Sequence, residues 1–299
     1  MPTIDLSQLP PPQIIEQLDF ETILIDVKAA MITAFPADQQ ASVAAALSLE
    51  SEPLNVIAQS IAYREMLLRQ RINEGVAACT LSHSTGTDLD NFAANLDTER
   101  LTITPETDTT DAVMESDEAL RLRAQSAFEG MSVAGPSAAY EYFARSASGK
   151  VADAKANSPA PAEVVIAILS TDGDGTASPE LLSAVTTAVN DEEVRPLGDR
   201  VTVRSADIVD YSIEATLYLY PGPESEPIIN AADAALQKFI QQNDKKISRD
   251  VARSAISASL HVQGVQRVVL KSPPEDIKIS DIQAARNIGY RLENGGTDE

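Results

Sequence analysis

The sequence predicts an α+β fold, with a helical N-terminal region followed by mixed α/β domains whose helices pack on a mixed or antiparallel sheet. Three observations predict it. Apolar residues recur at helical spacing through the first hundred residues, where no alternating stretch occurs. Residues 209–220 alternate apolar and polar side chains, which is typical of a half-buried strand. From Val151 onward the element order is β-β-α-β-β-α-α-β.

The N-terminal region contains four predicted helices after an extended, proline-rich arm at residues 1–13. Pro53 suits the first turn of the longest helix, where a missing N–H costs nothing. Pro36 ends the helix before it, and Gly86 can cap the long helix at its far end. The four predicted helices cover residues 14–35, 41–49, about 53–82 and 88–94.

The longest predicted helix is apolar over more of its circumference than one neighbouring helix covers. No sheet is predicted in this region to cover the remainder. We therefore expect part of the helix to contact partner proteins. The candidate interface residues are Leu54, Ile57, Ile61, Leu68 and Ile72.

Residues 102–115 are rich in threonine and acid and lack any period, which favours a flexible joint. Ser116 then suits a helix N-cap, and Asp117 and Glu118 complement the helix dipole. The apolar stripe of this helix is predicted at Leu120, Ala124, Ala127, Phe128 and Met131, with Arg121, Arg123, Gln125 and Glu129 opposite.

The remaining elements predict compact α+β layers. Strands are expected from Val151, at 163–170, 201–204, 209–220 and 265–271, with short ones near Ile277 and Ile288. Helices are expected from Pro136 to a Gly149 cap, at 179–189 and 228–242, and from a Ser248 cap to Gly264. The predicted division is 1–101 helical assembly arm, 102–115 joint, 116–208 first α+β unit, 209–292 second α+β unit and 293–299 disordered tail.

Composition excludes several classes of partner. The net charge is −22 over 299 residues, so phosphate backbones and anionic membranes would repel the chain. The single cysteine, Cys79, allows no intrachain disulfide. No apolar run reaches the ~20 residues of a membrane span, and the N-terminus lacks the features of a signal peptide. We expect a soluble protein made in a cytoplasm.

The motifs offer little chemistry. The sequence Asp172-Gly173-Asp174-Gly175-Thr176 suggests a calcium loop, but Ala177 and Ser183 occupy the places where such a loop needs glycine and glutamate. A glycine-rich turn that caps the next helix is the favoured interpretation. One cysteine and two separated histidines do not make a zinc site. We expect no metal or cofactor.

His83 is the one residue around which a catalytic set can be written, with Ser82, Ser84, Asp88 and Asp90 nearby. No nucleophile elbow surrounds either serine, and such residues are common at helix ends. Helix capping is therefore the favoured role. A hydrolase that uses His83 stays as an alternative.

Seven stretches, spread in order over nearly the whole chain, resemble the baseplate J-like proteins of contractile phage tails and tailocins. They are LPPPQIIEQLDFETIL from Leu9, EPLNVIAQSIAYREMLLRQRIN from Glu52, GTDLDNFAANL from Gly86, ESDEALRLRAQ from Glu115, GPSAAYEYFA from Gly135, VRPLGDRVTV from Val194 and GVQRVVLKSP from Gly264. The one departure is Ala162-Glu163, where the family often has glycine before the strand.

The resemblance implies a structural component of the baseplate wedge, without cofactor or catalysis. Such proteins form a ring around the central hub, and the ring's change of shape relays the contraction trigger. Their partners are other copies and neighbouring wedge, hub and tail-fibre-connecting proteins. The resemblance implies a place in the virion tail after assembly in the bacterial cytoplasm. A non-viral acidic adaptor is the other alternative.

Overall fold

The computed structural model describes residues 4–132, 134–222, 225–244 and 246–297. The chain forms two compact units, Met1–Asp97 and Thr98–Glu299. The first is helical, and the second combines helices with two three-stranded sheets of mixed direction. The α+β prediction is confirmed. Within the described ranges, no helix is long and apolar enough to cross a membrane.

Met1–Asp97 contains a short 3-10 helix, Leu6–Gln8, and four α-helices: α1 Phe20–Ala34, α2 Gln40–Leu47, α3 Pro53–Ala78 and α4 Gly86–Ala94. The prediction that α1 begins at residue 14 is wrong. Asp19 caps it instead, because its carboxylate accepts the Thr22 N–H at 2.8 Å. That bond lowers the pKa of Asp19.

The core of this unit lies between α1, α2 and α3. Alanines of α3 leave room for larger side chains of the other two helices, so the helices approach closely. Phe20, Met31, Ile32, Leu54 and Met66 cover the margin. The buried residues are Ile23, Leu24, Val27, Val43, Leu47, Ala58 and Ala62.

Thr98–Glu299 opens with a small hairpin. Strands β1 Thr102–Thr104 and β2 Val113–Met114 pair antiparallel, so part of the segment predicted as a joint is ordered as a ladder. Its flexibility stays a prediction. Helices α5 Asp117–Gly130 and α6 Ser137–Ser146 follow, and the Ser116 cap is confirmed by its bond from the Ala119 N–H.

The first sheet has the order β3-β4-β5, with β3 Val151–Ala160 antiparallel and β5 Arg200–Ser205 parallel to β4 Glu163–Ser170. Helix α7 Pro179–Val189 supplies the crossover between β4 and β5. Side chains of α6 and α7 cover one face of the sheet, where Ile166 and Ile168 are fully buried.

The second sheet has the order β7-β6-β8. Strand β6 Asp207–Leu219 pairs antiparallel with β7 Val265–Ser272 and parallel with β8 Gln283–Thr297. Helices α8 Glu226–Asn243 and α9 Arg253–Leu260 pack on it through the buried residues Ala232, Leu236, Ile256 and Leu260. Both sheets therefore carry a helical layer.

The two sheets of this unit also share a cluster of buried side chains. Ala167 and Leu169 of β4 point away from α7 and pack with Ala206, Ile247 and Ala284. The Ile247 N–H donates to the Asp153 carboxylate at 3.0 Å. These contacts hold residues 116–208 and 209–292 together, and their division into two units stays a prediction.

Three further local expectations were wrong. Ser248 caps no helix, since its backbone has a φ of 60° and its hydroxyl donates to Asp281; α9 begins later, after Ala252. The tail expected to be disordered from residue 293 is part of β8 through Thr297, because β6 pairs with it there, and residues 298–299 lie outside the described range.

The third error concerns α5. Arg123, expected on the polar side, is buried, whereas Phe128 and Met131 are 64% and 65% exposed. The cause is Glu115, whose carboxylate lies 2.7 Å from the Arg123 guanidinium. Arg123 also donates to the Glu99 carbonyl. An arginine can be buried when its donors are matched in this way.

Candidate interface on the longest helix

Helix α3 begins at Pro53 and runs for 26 residues before it ends at Ala78. Its leucines, alanines, arginines and glutamines favour helix strongly. One side packs on the unit's core, where Ala58 and Ala62 are completely buried. Only this side of α3 is covered by the rest of the unit.

Polar contacts fix α3 against the segment that precedes α1. The Asn73 amide donates to the Glu16 carbonyl at 2.8 Å and accepts the Glu16 N–H at 3.1 Å. Arg69 bonds both Glu65, at 2.6 Å, and Glu16, at 3.1 Å. These bonds, led by that to Glu65, raise the pKa of Arg69. The register of α3 in its unit is therefore fixed along this side.

The opposite side of α3 carries large apolar side chains in solvent. Of the five candidate interface residues, four lie together on it: Ile57 is 52% exposed, Ile61 46%, Leu68 66% and Ile72 56%. The fifth, Leu54, packs against the core. At ~100° per residue the four exposed side chains fall within about 60° of one another.

A second apolar stripe lies beside the first and was absent from the candidate set. Val56 is 53% exposed, Tyr63 52% and Leu67 45%. The sequence signal was the width of the apolar arc, but periodicity alone does not say which edge of an arc the core covers. The exposed apolar surface of α3, comprising both stripes, is called the α3 face below.

The α3 face also carries positive charge. The three arginines of residues 1–97 all lie on α3, and the one lysine of residues 1–97, Lys28, lies on α1. Arg69 is on the core side, but Arg64 and Arg71 border the exposed stripes. Arg71 lies 3.5 Å from Glu74 and is 84% exposed, whereas Arg64 makes no ion pair or hydrogen bond with any described residue. An acidic chain thus presents a basic apolar surface on this helix.

A recess of about 450 Å³ lies where α3 turns into α4. Arg71, Gly75, Ala78, His83 and Asp88 are among its lining residues. The recess therefore continues the α3 face beyond Ile72.

His83 does not form the catalytic set that its neighbours suggested. The hydroxyls of Ser82 and Thr80 both approach the same ring nitrogen, Nδ1, at 2.7 and 3.3 Å. In the part of the chain that is described, the His83 ring bonds no carboxylate. The imidazole thus lacks the orienting acid of a serine–histidine–aspartate triad.

The Asp172–Thr176 loop is a glycine turn. Gly173 and Gly175 have φ values of 61° and 96°, which favour glycine. Asp172 pairs with Lys150 at 3.0 Å, and Asp174 accepts the Thr176 N–H, which lowers its pKa. Ser178, rather than this loop, caps α7. Among the described residues no cluster of histidine, cysteine or carboxylate side chains could hold a metal ion.

Two buried tyrosines are bonded to carboxylates in Thr98–Glu299. Tyr211 donates to Asp244 at 3.0 Å, and burial raises the pKa of both groups. Tyr140 donates to Asp199 at 2.9 Å, and burial again raises the tyrosine pKa. Each pair joins separate elements of one unit, so both serve as packing contacts.

Three domain models of one protein family match successive parts of the chain. Family models match residues 50–107 as the baseplate J-like N-terminal domain, 132–205 as the central domain and 211–287 as the C-terminal domain. Baseplate protein J of Escherichia phage P2 is 53% identical over 303 residues, which cover 100% of both chains.

A solved structure, the baseplate of the anti-feeding prophage, aligns with a TM-score of 0.39 and 15% identity over 60% of this chain and 43% of that chain. The family matches and the full-length identity to the phage P2 protein carry the assignment. The chain belongs to the baseplate J-like family.

Proposed function

We propose that this protein is a structural component of the baseplate of a contractile phage tail or tailocin and acts without catalysis or cofactor. An identity of 53% to a baseplate protein over the full length of both chains supports this role. In finer detail, it would belong to the wedge, form part of the ring around the central hub and relay the contraction trigger by subunit rearrangement.

Within that role, the α3 face is an assembly surface for neighbouring baseplate proteins or other copies. The observation that carries this is the row of exposed isoleucines and leucine on one side of a helix whose other side is already packed. Burying each such side chain in a complex would contribute about 1.5–3 kcal/mol. An unpartnered apolar surface of this kind is unusual on a monomer.

The double variant Ile57→Asp/Ile61→Asp tests this surface. It removes two apolar contacts and places unpaired charge in the contact region, which costs several kcal/mol more. In cells that make the complete set of tail proteins, we expect few or no complete particles from this variant. Electron microscopy of the particles, with quantification of this chain in them, provides the measurement.

Ala41→Asp/Ala45→Asp is the matched control. These alanines are exposed on α2 at the same four-residue spacing, so the control adds two charges to the same unit without touching the α3 face. Normal particle yield is expected from it. If Ile57→Asp/Ile61→Asp also assembles normally, α3 is no assembly surface, and a baseplate that lacks the chain altogether would contradict the proposed function itself.

A further inference from the structure

The edge of the first sheet at β3 is closed by side chains of α6. Arg145 donates to the Ala154 carbonyl at 3.3 Å. Glu141 accepts the Ala156 N–H, also at 3.3 Å. Because these outward backbone groups of β3 are already bonded, this edge does not offer them to a further strand.

Both edges of the second sheet carry protection over part of their length. On β7, the Arg253 guanidinium donates to the carbonyls of Leu270, at 3.0 Å, and Pro273. On β8, the Ser248 N–H donates to the Gln283 carbonyl at 3.0 Å, and the register with β6 shifts twice further along. Caps and irregular registers of this kind hinder pairing with another strand.

Strand β5 differs from these three edges. It forms the other edge of the first sheet and pairs with β4 without a register shift. Arg200 and Ala206 donate their N–H groups toward β4, at 2.7 and 2.8 Å, so every second residue from 200 faces that strand. The N–H and C=O groups of Val201 and Val203 therefore point outward, where no described residue bonds them. The edge of β5 is open there.

Apolar side chains lie at the same edge. Val201, Val203 and, on α7, Leu182 are only partly buried at the margin of the first sheet's core. Leu197, three residues before β5, is fully exposed. A strand added to β5 would set alternate side chains beside the two valines, where apolar residues are favoured.

The opposite face of β5 is basic. Since side chains alternate along a strand, Arg200 and Arg204 lie on this face with Thr202 between them. Arg204 is paired with Asp207 at 2.6 Å, whereas Arg200 is exposed and forms an ion pair with no described residue. An added strand would place a side chain directly beside Arg200, and an opposite charge there is stabilising. The side chains of the occupant should therefore alternate between apolar and acidic.

The sheet-edge strands of a second copy do not have this pattern. Their acids are Asp153 in β3 and Glu293 in β8, which are already ion-paired with Arg145 and Lys271. The strands β1 and β2 have three and two residues, fewer than the six of β5. The edge strands carry the following basic residues: Lys155 in β3, Arg200 and Arg204 in β5, Arg267 and Lys271 in β7, and Arg286 and Arg291 in β8.

We propose that the edge of β5 receives an extended segment of a different baseplate protein as an added strand whose residues alternate between apolar and acidic. Main-chain hydrogen bonds to Val201 and Val203 hold the segment, and a carboxylate beside Arg200 selects it. This inference rests on the proposed assembly role and gives Thr98–Glu299 an assembly surface of its own.

Hydrogen exchange detects the added strand directly. In the purified chain, the outward amides of Val201 and Val203 should exchange quickly, while the amides of Thr202 and Arg204, which face β4, provide the internal reference. In complete particles, the two outward amides should exchange at least about tenfold more slowly. Mass spectrometry of a peptide that spans residues 200–205 measures both states. Equal exchange of this peptide in the chain and in the particle would overturn the proposal.

Val203→Pro removes an outward N–H without removing a bond to β4, and proline is tolerated at such positions of edge strands. Particle yield should fall at least about tenfold, because the proline ring blocks the added strand. Val203→Ala is the matched control: it loses the valine side chain but keeps the N–H, and its yield should stay within about threefold of the parent. Equal yields from the two variants would overturn the proposal. Circular dichroism checks folding, and if Val203→Pro does not fold, the exchange measurement and the Arg200 variants decide.

Arg200 is tested by charge. Arg200→Glu should lower particle yield at least about tenfold, while Arg200→Lys should remain within about threefold of the parent. Lys238→Glu is the control, since Lys238 is exposed on α8 and bonds no described residue; normal yield is expected from it. Second-site substitutions that rescue Arg200→Glu should replace an aspartate or glutamate of another tail protein by lysine or arginine. Rescue within this chain would overturn the proposal and identify a second copy as the occupant, and full assembly of Arg200→Glu would also overturn it.

These outcomes are distinct from failure of the proposed function. If Ile57→Asp/Ile61→Asp prevents assembly while the Val203 and Arg200 variants assemble normally, the proposed function stands and the added strand is wrong. If particles lack the chain altogether, the proposed function itself fails.

Discussion

Helix α3 and strand β4 are both apolar on more than one side, but the rest of the chain buries both sides of β4 and only one side of α3. In β4, Ile166 and Ile168 pack under α6 and α7, while Ala167 and Leu169 pack with the second sheet's residues. In α3, the core covers Ala58 and Ala62 but leaves Ile57 and Leu68 about half or more exposed. One element has two neighbours within the chain, and the other has one.

The difference shows that an apolar stretch of sequence predicts that its side chains are buried. It does not predict whether they are buried within the chain or against another protein. Covering β4 requires layers on both sides, which Thr98–Glu299 contains. Met1–Asp97 has two helices, α1 and α2, packed on one side of α3, and its described residues form no further layer. Under the proposed assembly role, neighbouring chains would supply the remaining cover for α3.

The largest expected difference in unfolding free energy is between two single variants, each replacing one isoleucine by aspartate, one in β4 and one in α3. Ile168→Asp places a charge in a closed core and should cost more than about 5 kcal/mol. Ile61→Asp in the isolated chain should stay within about 0.5 kcal/mol, since its side chain already meets water. Urea unfolding followed by circular dichroism measures both.

Ile168→Val is the control for that comparison, with an expected cost of about 0.5–1.5 kcal/mol. A loss of several kcal/mol from Ile61→Asp in purified monomer would contradict the contrast, because it would mean that the chain itself covers the α3 face.

A smaller loss of unfolding free energy is expected from a substitution in α5, where the charged Arg123 is buried and the apolar Phe128 and Met131 are exposed. Arg123→Met leaves the Glu115 carboxylate buried without its cation and should cost about 3–5 kcal/mol. Glu115→Gln in that background removes the uncompensated charge while keeping an acceptor for the Leu101 N–H, so at least about half of the loss should return. Urea titrations of the parent and these two variants provide the test. A cost below about 1 kcal/mol for Arg123→Met would contradict it.

These cases show what the sequence could and could not predict. Element types followed from periodicity, and strand β4 and helix α7 matched residue for residue. The prediction that Arg123 lies on the polar side of α5 was wrong because its partner, Glu115, lies in the segment before the helix. Helical spacing carries no information about that segment. The common exposed side of four α3 residues followed from their stripe, and their role as an interface stays a prediction. Val56, Tyr63 and Leu67 were left out of the candidate set because periodicity alone does not say which edge of an apolar arc the core covers.

The smallest effect on stability should come from cutting the hairpin at residues 102–115. Its ends are held, because Arg100 bonds Asp117 at 2.7 Å and the Leu101 N–H bonds Glu115. Its tip, from Glu106 to Asp111, is exposed and held by local bonds such as that between the Thr107 and Thr110 hydroxyls. Exposed tips of this kind are preferred by proteases.

Limited digestion should therefore cut first between Thr104 and Val113, and mass spectrometry identifies the site. Because both strands and the Glu115–Arg123 pair remain intact, the thermal transition of the nicked protein should shift by no more than about 2 °C. Arg123→Met provides the comparison, since releasing the hairpin's base should speed the same cut. First cuts within residues 209–260 would contradict the predicted joint. A nick that unfolded Thr98–Glu299 would show instead that the hairpin is as integral to its unit as β4.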